Sequence, residues 1–289
     1  MTRRSRRRAV WTAAALCLLA GGLAGCDNTL DPYARESYFS IRGYLSLSDA
    51  RQFIRVESLA EPVTADTTRT LDAEVVLENL TAGTREVLRD SVIVFDGVTV
   101  THNFWTDTPV QGDATYRIHV TRSDGAVTRA TTTTPTAAAP SVSPDSGGTC
   151  LNRYVVRFTG ARRVLEADVG YRAGGQTHWI ARRRDLQTLP SGDPGLAFVP
   201  ESDLAPIVGV VDNVQTRPLE VRCSRLDEGV IQIRYVYVSD NWTTSVTPGV
   251  ETYDPTRSQD IENGIGFFGA MREGLLTVPV STALYADGL

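Results

Sequence analysis

Between residues 39 and 131 apolar and polar side chains alternate with a period of two. In Phe39-Ser40-Ile41-Arg42-Gly43-Tyr44-Leu45-Ser46-Leu47 the odd positions are apolar or glycine and the even ones mostly polar. Successive strand side chains point to opposite faces, so this pattern predicts a half-buried strand. Ile54 and Val56 alternate with Arg55 and Glu57, and Ala73, Val75 and Leu77 with Glu74 and Glu78. Asp96-Gly97 between two apolar runs, Val92–Phe95 and Val98–Phe104, predicts a hairpin, because glycine accepts positive φ. Ala114, Tyr116, Ile118 and Val120 share one face, and Asp124-Gly125 turns into a further strand over Ala126–Thr131. Seven short strands in about a hundred residues predict an immunoglobulin-like or fibronectin-like sandwich.

The pattern then breaks. Thr131-Thr132-Thr133-Thr134-Pro135 leads into Ala, Pro, Ser and Gly up to Gly148, a composition that builds no core and predicts a linker. Beyond it the signals are less regular. Tyr154–Phe158 and Val230–Val238 predict strong strands, and Val169–Tyr171 and His178–Ile180 predict a pair across Ala173-Gly174-Gly175-Gln176. Residues 182–206 are rich in Pro, Gly and Asp, with one short helix predicted around Ser202–Ile207, and Leu275–Val280 predicts a final strand. The expected fold is mainly β: an N-terminal immunoglobulin/fibronectin-like sandwich over 36–134, a linker over 135–148, and a second β-rich domain over 149–289.

The first residues have a different character. Five arginines between Arg3 and Arg8 precede an apolar run, Val10–Ala20, too short to span a bilayer stably. Leu23-Ala24-Gly25-Cys26 follows. Small residues before a cysteine are what a lipoprotein signal peptidase accepts. Residues 1–25 therefore read as a lipoprotein signal peptide, with cleavage between Gly25 and Cys26 and lipid attachment at Cys26. Each buried methylene contributes about 0.8 kcal/mol, and the two or three acyl chains of a lipoprotein, palmitate among them, anchor the chain lastingly where one chain is marginal. The polar, turn-prone segment Asp27–Pro32 begins a tether over 26–35. Asp27 alone does not choose between inner and outer membrane.

Processing changes the charge balance. The precursor carries 29 basic and 34 acidic residues, and losing the five signal-peptide arginines leaves a net charge of −10. That excludes nucleic acid as a partner class, which needs a basic face, and adhesion to anionic lipid. Every basic residue is arginine, the usage expected of a GC-rich genome. Cys17 leaves with the signal peptide and Cys26 takes lipid, so Cys150 and Cys223 remain in an oxidising compartment, where a disulfide is the default. Closing that loop contributes roughly 4 kcal/mol in the chain-entropy picture.

No residue set predicts catalysis, and no metal or cofactor is expected. Gly264-Ile265-Gly266-Phe267-Phe268-Gly269 matches the dinucleotide fingerprint letter for letter, but polar residues precede it and a strand follows, where a fingerprint joins a buried strand to a helix. Its glycines predict a turn or bulge. His102, His119 and His178 lack ligand spacing, and no nucleophile elbow or zincin motif occurs. Asp193, Glu201, Asp203, Asp254, Asp260 and Glu262 fall in loops without EF-hand spacing, where solvated acids are the ordinary reading and calcium the alternative. Trp105, Trp179 and Trp242 offer either core packing or a sugar-stacking platform.

Three segments together resemble a family of outer-membrane-type bacterial lipoproteins known as domain of unknown function 4249. They are Cys26-Asp27 with the strand Phe39–Leu47, the exit Thr131–Pro135, and above all Asp260–Ala270 with its asparagine-glycine-x-glycine-x-phenylalanine-glycine element. The resemblance covers residues 26–285, mostly by pattern in the middle. It implies an outer-membrane location beside TonB-dependent receptors and no established activity. The expected role is a binding or accessory component of an outer-membrane transporter assembly rather than an enzyme, with a surface adhesin or carbohydrate-binding module as the alternative. Phe267 and Phe268, on opposite faces of one strand, are the candidate partner contacts.

Overall fold

The computed structural model describes residues 37–60, 70–95, 99–212, 223–242, 244–247, 250–253 and 261–281. Gly25, Cys26, the signal segment and the tether lie outside the described residues, as do the Asp96-Gly97 turn and the loop acids Asp254 and Asp260.

The chain is mainly β. The first half forms β1 (Phe39–Ser46), β2 (Gln52–Ser58), β3 (Glu74–Asn79), β4 (Thr84–Val87), β5 (Arg89–Phe95), β6 (Thr99–Thr106), β7 (Thr115–Thr121) and β8 (Val127–Thr133). The second half forms β9 (Ser141–Pro144), β10 (Tyr154–Arg157), β11 (Val164–Ala173), β12 (Gln176–Ala181), β13 (Gln187–Thr188), β14 (Pro194–Phe198), a helix over Pro200–Asp212, β15 (Val230–Val238), β16 (Thr244–Thr247), β17 (Val250–Tyr253), β18 (Ile261–Glu262) and β19 (Gly264–Pro279).

The strand order identifies the N-terminal sandwich. One sheet contains β1-β2-β6-β5 and the facing one β8-β7-β3-β4. Those are the A-B-E-D and G-F-C arrangements of an immunoglobulin-like fold, with β4 added outside C. Tyr116 at the start of the F-position strand closes the corner. Its hydroxyl accepts the backbone N–H of Gln111 at 2.9 Å and an amide hydrogen of Asn79 at 3.1 Å. That is the tyrosine-corner hydrogen bond of such sandwiches.

The second half enlarges the first sheet rather than standing apart from it. The 16-residue β19 pairs in parallel with β1 and antiparallel with β15. The complete sheet runs β12-β11-β15-β19-β1-β2-β6-β5, while β13-β14-β10-β9 forms a separate four-stranded sheet. Two cores result. Phe39, Ile41, Ile54, Phe104, Ile118 and Phe268 anchor one; Tyr154, Phe158, Tyr171, Leu196, Ile233 and Tyr237 anchor the other. Strand β19 serves both, with Phe268 and Ala270 in the first core and Leu276 and Val278 against the second. These are all even positions of one strand, paired without a break to β1 over Gly264–Met271 and to β15 over Met271–Pro279, so both cores lie on the same face of the eight-stranded sheet.

Local sequence explains this closeness. Gly266 has φ of 115°, and a Cβ there would collide with the Ile41 carbonyl of β1. The glycine motif is therefore a strand that pairs tightly with β1, not the turn or bulge expected, and the reversal falls one residue earlier at Asn263, φ 54°. Residues 135–148 contain buried Pro135, Thr136 and Pro140, and Ser141–Pro144 pairs with β10.

Candidate functional site

The other face of the eight-stranded sheet carries the most distinctive side chains. Along β19 the odd positions Phe267 and Gly269 point to it, and along β1 and β2 the positions out of phase with the core do so: Arg42, Tyr44, Phe53 and Arg55. Tyr44 is 43 % exposed and Phe53 47 %. Phe53 is registered with Trp105 on β6, and Trp105 in turn with Arg89 on β5. The guanidinium carbons of Arg51 and Arg89 lie 4.3 Å and 4.4 Å from the Trp105 ring centre, a double cation–π contact from the strands on either side. Asp107 holds Arg51 at 2.7 Å. That guanidinium keeps the Asp107 carboxyl below the usual carboxylate range. Trp242, in the turn after β15, packs edge-on to Phe267 at 5.1 Å and tilted to Tyr44 at 5.9 Å.

A second cluster occupies the far end of the same face. Trp179 on β12 is registered with Gly170 and rests against it, so that a Cβ at Gly170 would meet the indole ring. Arg234 lies over that ring at 4.7 Å, with both its Nε and terminal nitrogen on Asp168. All three tryptophans singled out from the sequence thus reach one face, but not one platform. Six strand steps separate Trp105 from Trp179. At about 20–25° of twist per step they diverge by roughly 120–150°, over about 29 Å of sheet at ~4.8 Å spacing.

The candidate partner contacts need correction. Phe267 and Phe268 do point to opposite faces, but Phe268 is 1 % exposed in the first core and Phe267 4 % exposed beneath Trp242. Neither ring reaches the surface of the folded chain. Among the described residues the exposed rings are Trp179, which sequence reasoning singled out, and Tyr44 and Phe53, which it passed over. Their signal was present: each is an aromatic at the solvent phase of an alternating strand, where a polar residue is the norm.

Elsewhere several polar groups satisfy one another, though His178 Nε2, Arg182 Nε and the Ser40 and Tyr237 hydroxyls are buried without a hydrogen-bond partner among the described residues. His119 accepts Arg129 Nε–H on Nδ1 at 3.2 Å, so its Nε2 carries the proton and donates to Glu78 at 3.1 Å. Burial holds the His119 pKa below its ordinary value, and the Arg117 hydrogen bond holds that of Glu78 down. Tyr171 donates to Asp203 at 2.5 Å, and Arg182 binds the other oxygen of that carboxylate. Burial and then the Asp203 charge push the Tyr171 phenol far up. His102 pairs with Asp90 at 2.8 Å. A groove of about 440 Å³ at one end of the N-terminal sandwich is lined by the apolar Leu77, Ala82 and Pro109 as well as by Asn79, Glu86 and Gln111. There Glu86 accepts from Thr106 and Thr108, and Asn79 donates to Gln111 and Tyr116. Among the described residues no three His, Cys, Asp or Glu side chains converge as metal ligands, and no helix is long and apolar enough to cross a membrane. Cys150 and Cys223 stand at disulfide distance, Cα atoms 6.0 Å apart.

No family profile matches the chain, and no curated relative matches it. Among solved structures it is similar to a pullulanase from Anoxybacillus sp. LM18-11, at 9 % identity and TM-score 0.24 over 69 % of this chain. The same enzyme complexed with maltotriose matches at 9 % identity and TM-score 0.23 over 74 %. This chain spans about a quarter of the pullulanase length, 24 % and 27 % in the two structures.

Proposed function

We propose that the mature chain is a lipid-anchored envelope protein that binds another protein through the open face of its eight-stranded sheet, as an accessory of an outer-membrane transporter assembly. The observation that carries this reading is the state of the aromatic rings. A sugar-stacking platform needs a free planar face, whereas arginines flank Trp105 and Arg234 lies over Trp179. Arginine, tyrosine and tryptophan set in a half-exposed patch are the side chains that dominate protein–protein hot spots. Tyr44 and Phe53, each nearly half exposed, supply the apolar area. The signal peptide, the cysteine at position 26 and the resemblance to TonB-linked lipoproteins support the envelope location and the partner class.

The test is crosslinking in intact cells followed by recovery of the tagged lipoprotein. A TonB-dependent receptor or another membrane protein co-purifies with the native chain. Tyr44→Ala combined with Phe53→Ala reduces that recovery at least fivefold without changing the thermal midpoint by more than about 2 °C. In parallel, Cys26→Ala abolishes incorporation of labelled palmitate. Unchanged partner recovery in the double variant, or tight binding of the purified chain to a glycan array with no protein partner, refutes the docking reading; normal labelling of Cys26→Ala refutes the anchor.

A further inference from the structure

The open face has a charge opposite to that of the chain. The whole sequence carries a net charge of −5, but among the described residues of β1, β2, β5 and their flanks around Tyr44 and Phe53 stand four arginines, Arg42, Arg51, Arg55 and Arg89, against the acids Glu57 and Asp107. Both acids are already engaged: Glu57 with Arg55 at 2.7 Å, and Asp107 with Arg51 at 2.7 Å and Arg89 at 4.0 Å. Arg42 is exposed and has no ion pair among the described residues, and its strand register sets it directly opposite Arg55. Like charges at directly opposed positions of an antiparallel pair are destabilising. Arg55 already has the Glu57 carboxylate as its partner, so Arg42 is the cation of this pair that an incoming anion would meet.

Resting on the docking reading above, we propose that this patch takes an acidic, extended segment of the partner protein. The spacing supports an extended peptide. On β1, Arg42 and Tyr44 are two residues apart on one face; on β2, Phe53 and Arg55 are likewise. At ~3.3 Å per residue the repeat is about 6.6 Å, which is also the repeat at which an extended peptide presents side chains on one face. A segment with an acid at one position and an apolar residue two further on places its carboxylate on Arg42 and its apolar groups on Tyr44 and Phe53.

The probe is a fluorescein-labelled twelve-residue peptide alternating Glu-Ser-Phe-Ser, measured by anisotropy against the purified mature chain. The same peptide with Lys for Glu serves as control, and polygalacturonate as an anionic-glycan competitor. The acidic peptide binds, the lysine peptide does not, and affinity falls at least tenfold in Arg42→Glu, by several-fold in Arg42→Gln, and on raising salt from 0.05 to 0.5 M, as screening requires. Thermal melting confirms that both variants are folded. Absence of peptide binding, equal binding of the lysine peptide, or displacement by polygalacturonate well below the peptide's own Kd overturns the proposal. Crosslinking separates the two levels: a membrane protein recovered equally with the native chain and Arg42→Glu leaves docking intact and refutes the acidic preference, whereas no recovered partner in either refutes docking itself.

Discussion

Asn241 ties the turn after β15 to β8 and β19, and its replacement has a calculable effect. It sits in the turn after β15, beside the first half of β19 and the end of β8. Its amide donates to the Phe268 carbonyl at 2.7 Å and to the Thr131 carbonyl at 3.4 Å. Its oxygen accepts from Ser239 Oγ at 2.6 Å and from Thr132 Oγ1 at 3.2 Å, and both of those residues are buried. Three of the four bonds have good geometry, and a typical one contributes about 0.5–1.5 kcal/mol net, with buried partners left unsatisfied at the upper end. Asn241→Ala therefore destabilises by about 2–4 kcal/mol, a large part of the roughly 5–15 kcal/mol that holds a domain folded. Asn241→Asp keeps the acceptor but sets a carboxylate oxygen against the Phe268 carbonyl. It destabilises at least as much, and more as pH rises through the carboxylate range. Urea unfolding followed by tryptophan fluorescence reads both, since Trp242 is the next residue. Losses below about 0.5 kcal/mol in the two variants, or an Asp variant insensitive to pH, refute the assignment of a linking role.

Two further outcomes are expected. Acidification weakens the sandwich in two steps with the same sign. His119 and Glu78 both have folded-state pKa values below their unfolded ones, so each contributes stability that is present above its unfolded pKa and is lost as pH falls through the folded one. The loss begins below about 6.5 for His119, where protonation also sets a cation against Arg129, and continues below about 4.5 for Glu78. His119→Asn flattens the upper step in a stability–pH profile, and an unchanged profile contradicts the assignment. Chain purified from the envelope yields, on unreduced proteolysis, a single linked peptide joining Cys150 and Cys223; two alkylatable thiols there exclude the disulfide.

The N-terminal sandwich was legible because its strands carry the clean two-residue alternation that one buried face imposes. β4 escaped: Thr84-Arg85-Glu86-Val87 has a single apolar side chain, and Val87 is itself exposed, so no alternation marks an added edge strand. The pairing of β11 with β12 was legible from its Gly-Gly turn. What alternation cannot show is which strands become neighbours. Gly266 was read as a turn residue because positive φ is commonest in turns. Here the same conformational freedom lets β19 lie in parallel against β1, a pairing between residues more than two hundred positions apart. The burial of the two candidate contact rings escaped for a related reason. Adjacent phenylalanines drew notice at Phe267 and Phe268, but a strand shared by two cores and covered by Trp242 buries both of its sides there.

That shared strand has a mechanical consequence for the proposed site. In an isolated sandwich of this topology β1 is an edge strand, free to fray, and the face beside it is poorly held. Here β1 is bonded on one side to β2 and on the other to eight consecutive residues of β19, whose far half is fixed by β15. Arg42 and Tyr44 therefore stand on a central strand. A binding surface on a central strand loses less conformational entropy when a partner arrives than one on an edge or a loop, so more of its contact energy appears as affinity. The second half of the chain acquires a role on this argument: it is the clamp that holds the Arg42–Tyr44 surface in shape. Separating the halves by loosening β19, rather than altering any exposed ring, should then abolish docking while leaving the immunoglobulin-like core of β2 to β8 able to fold.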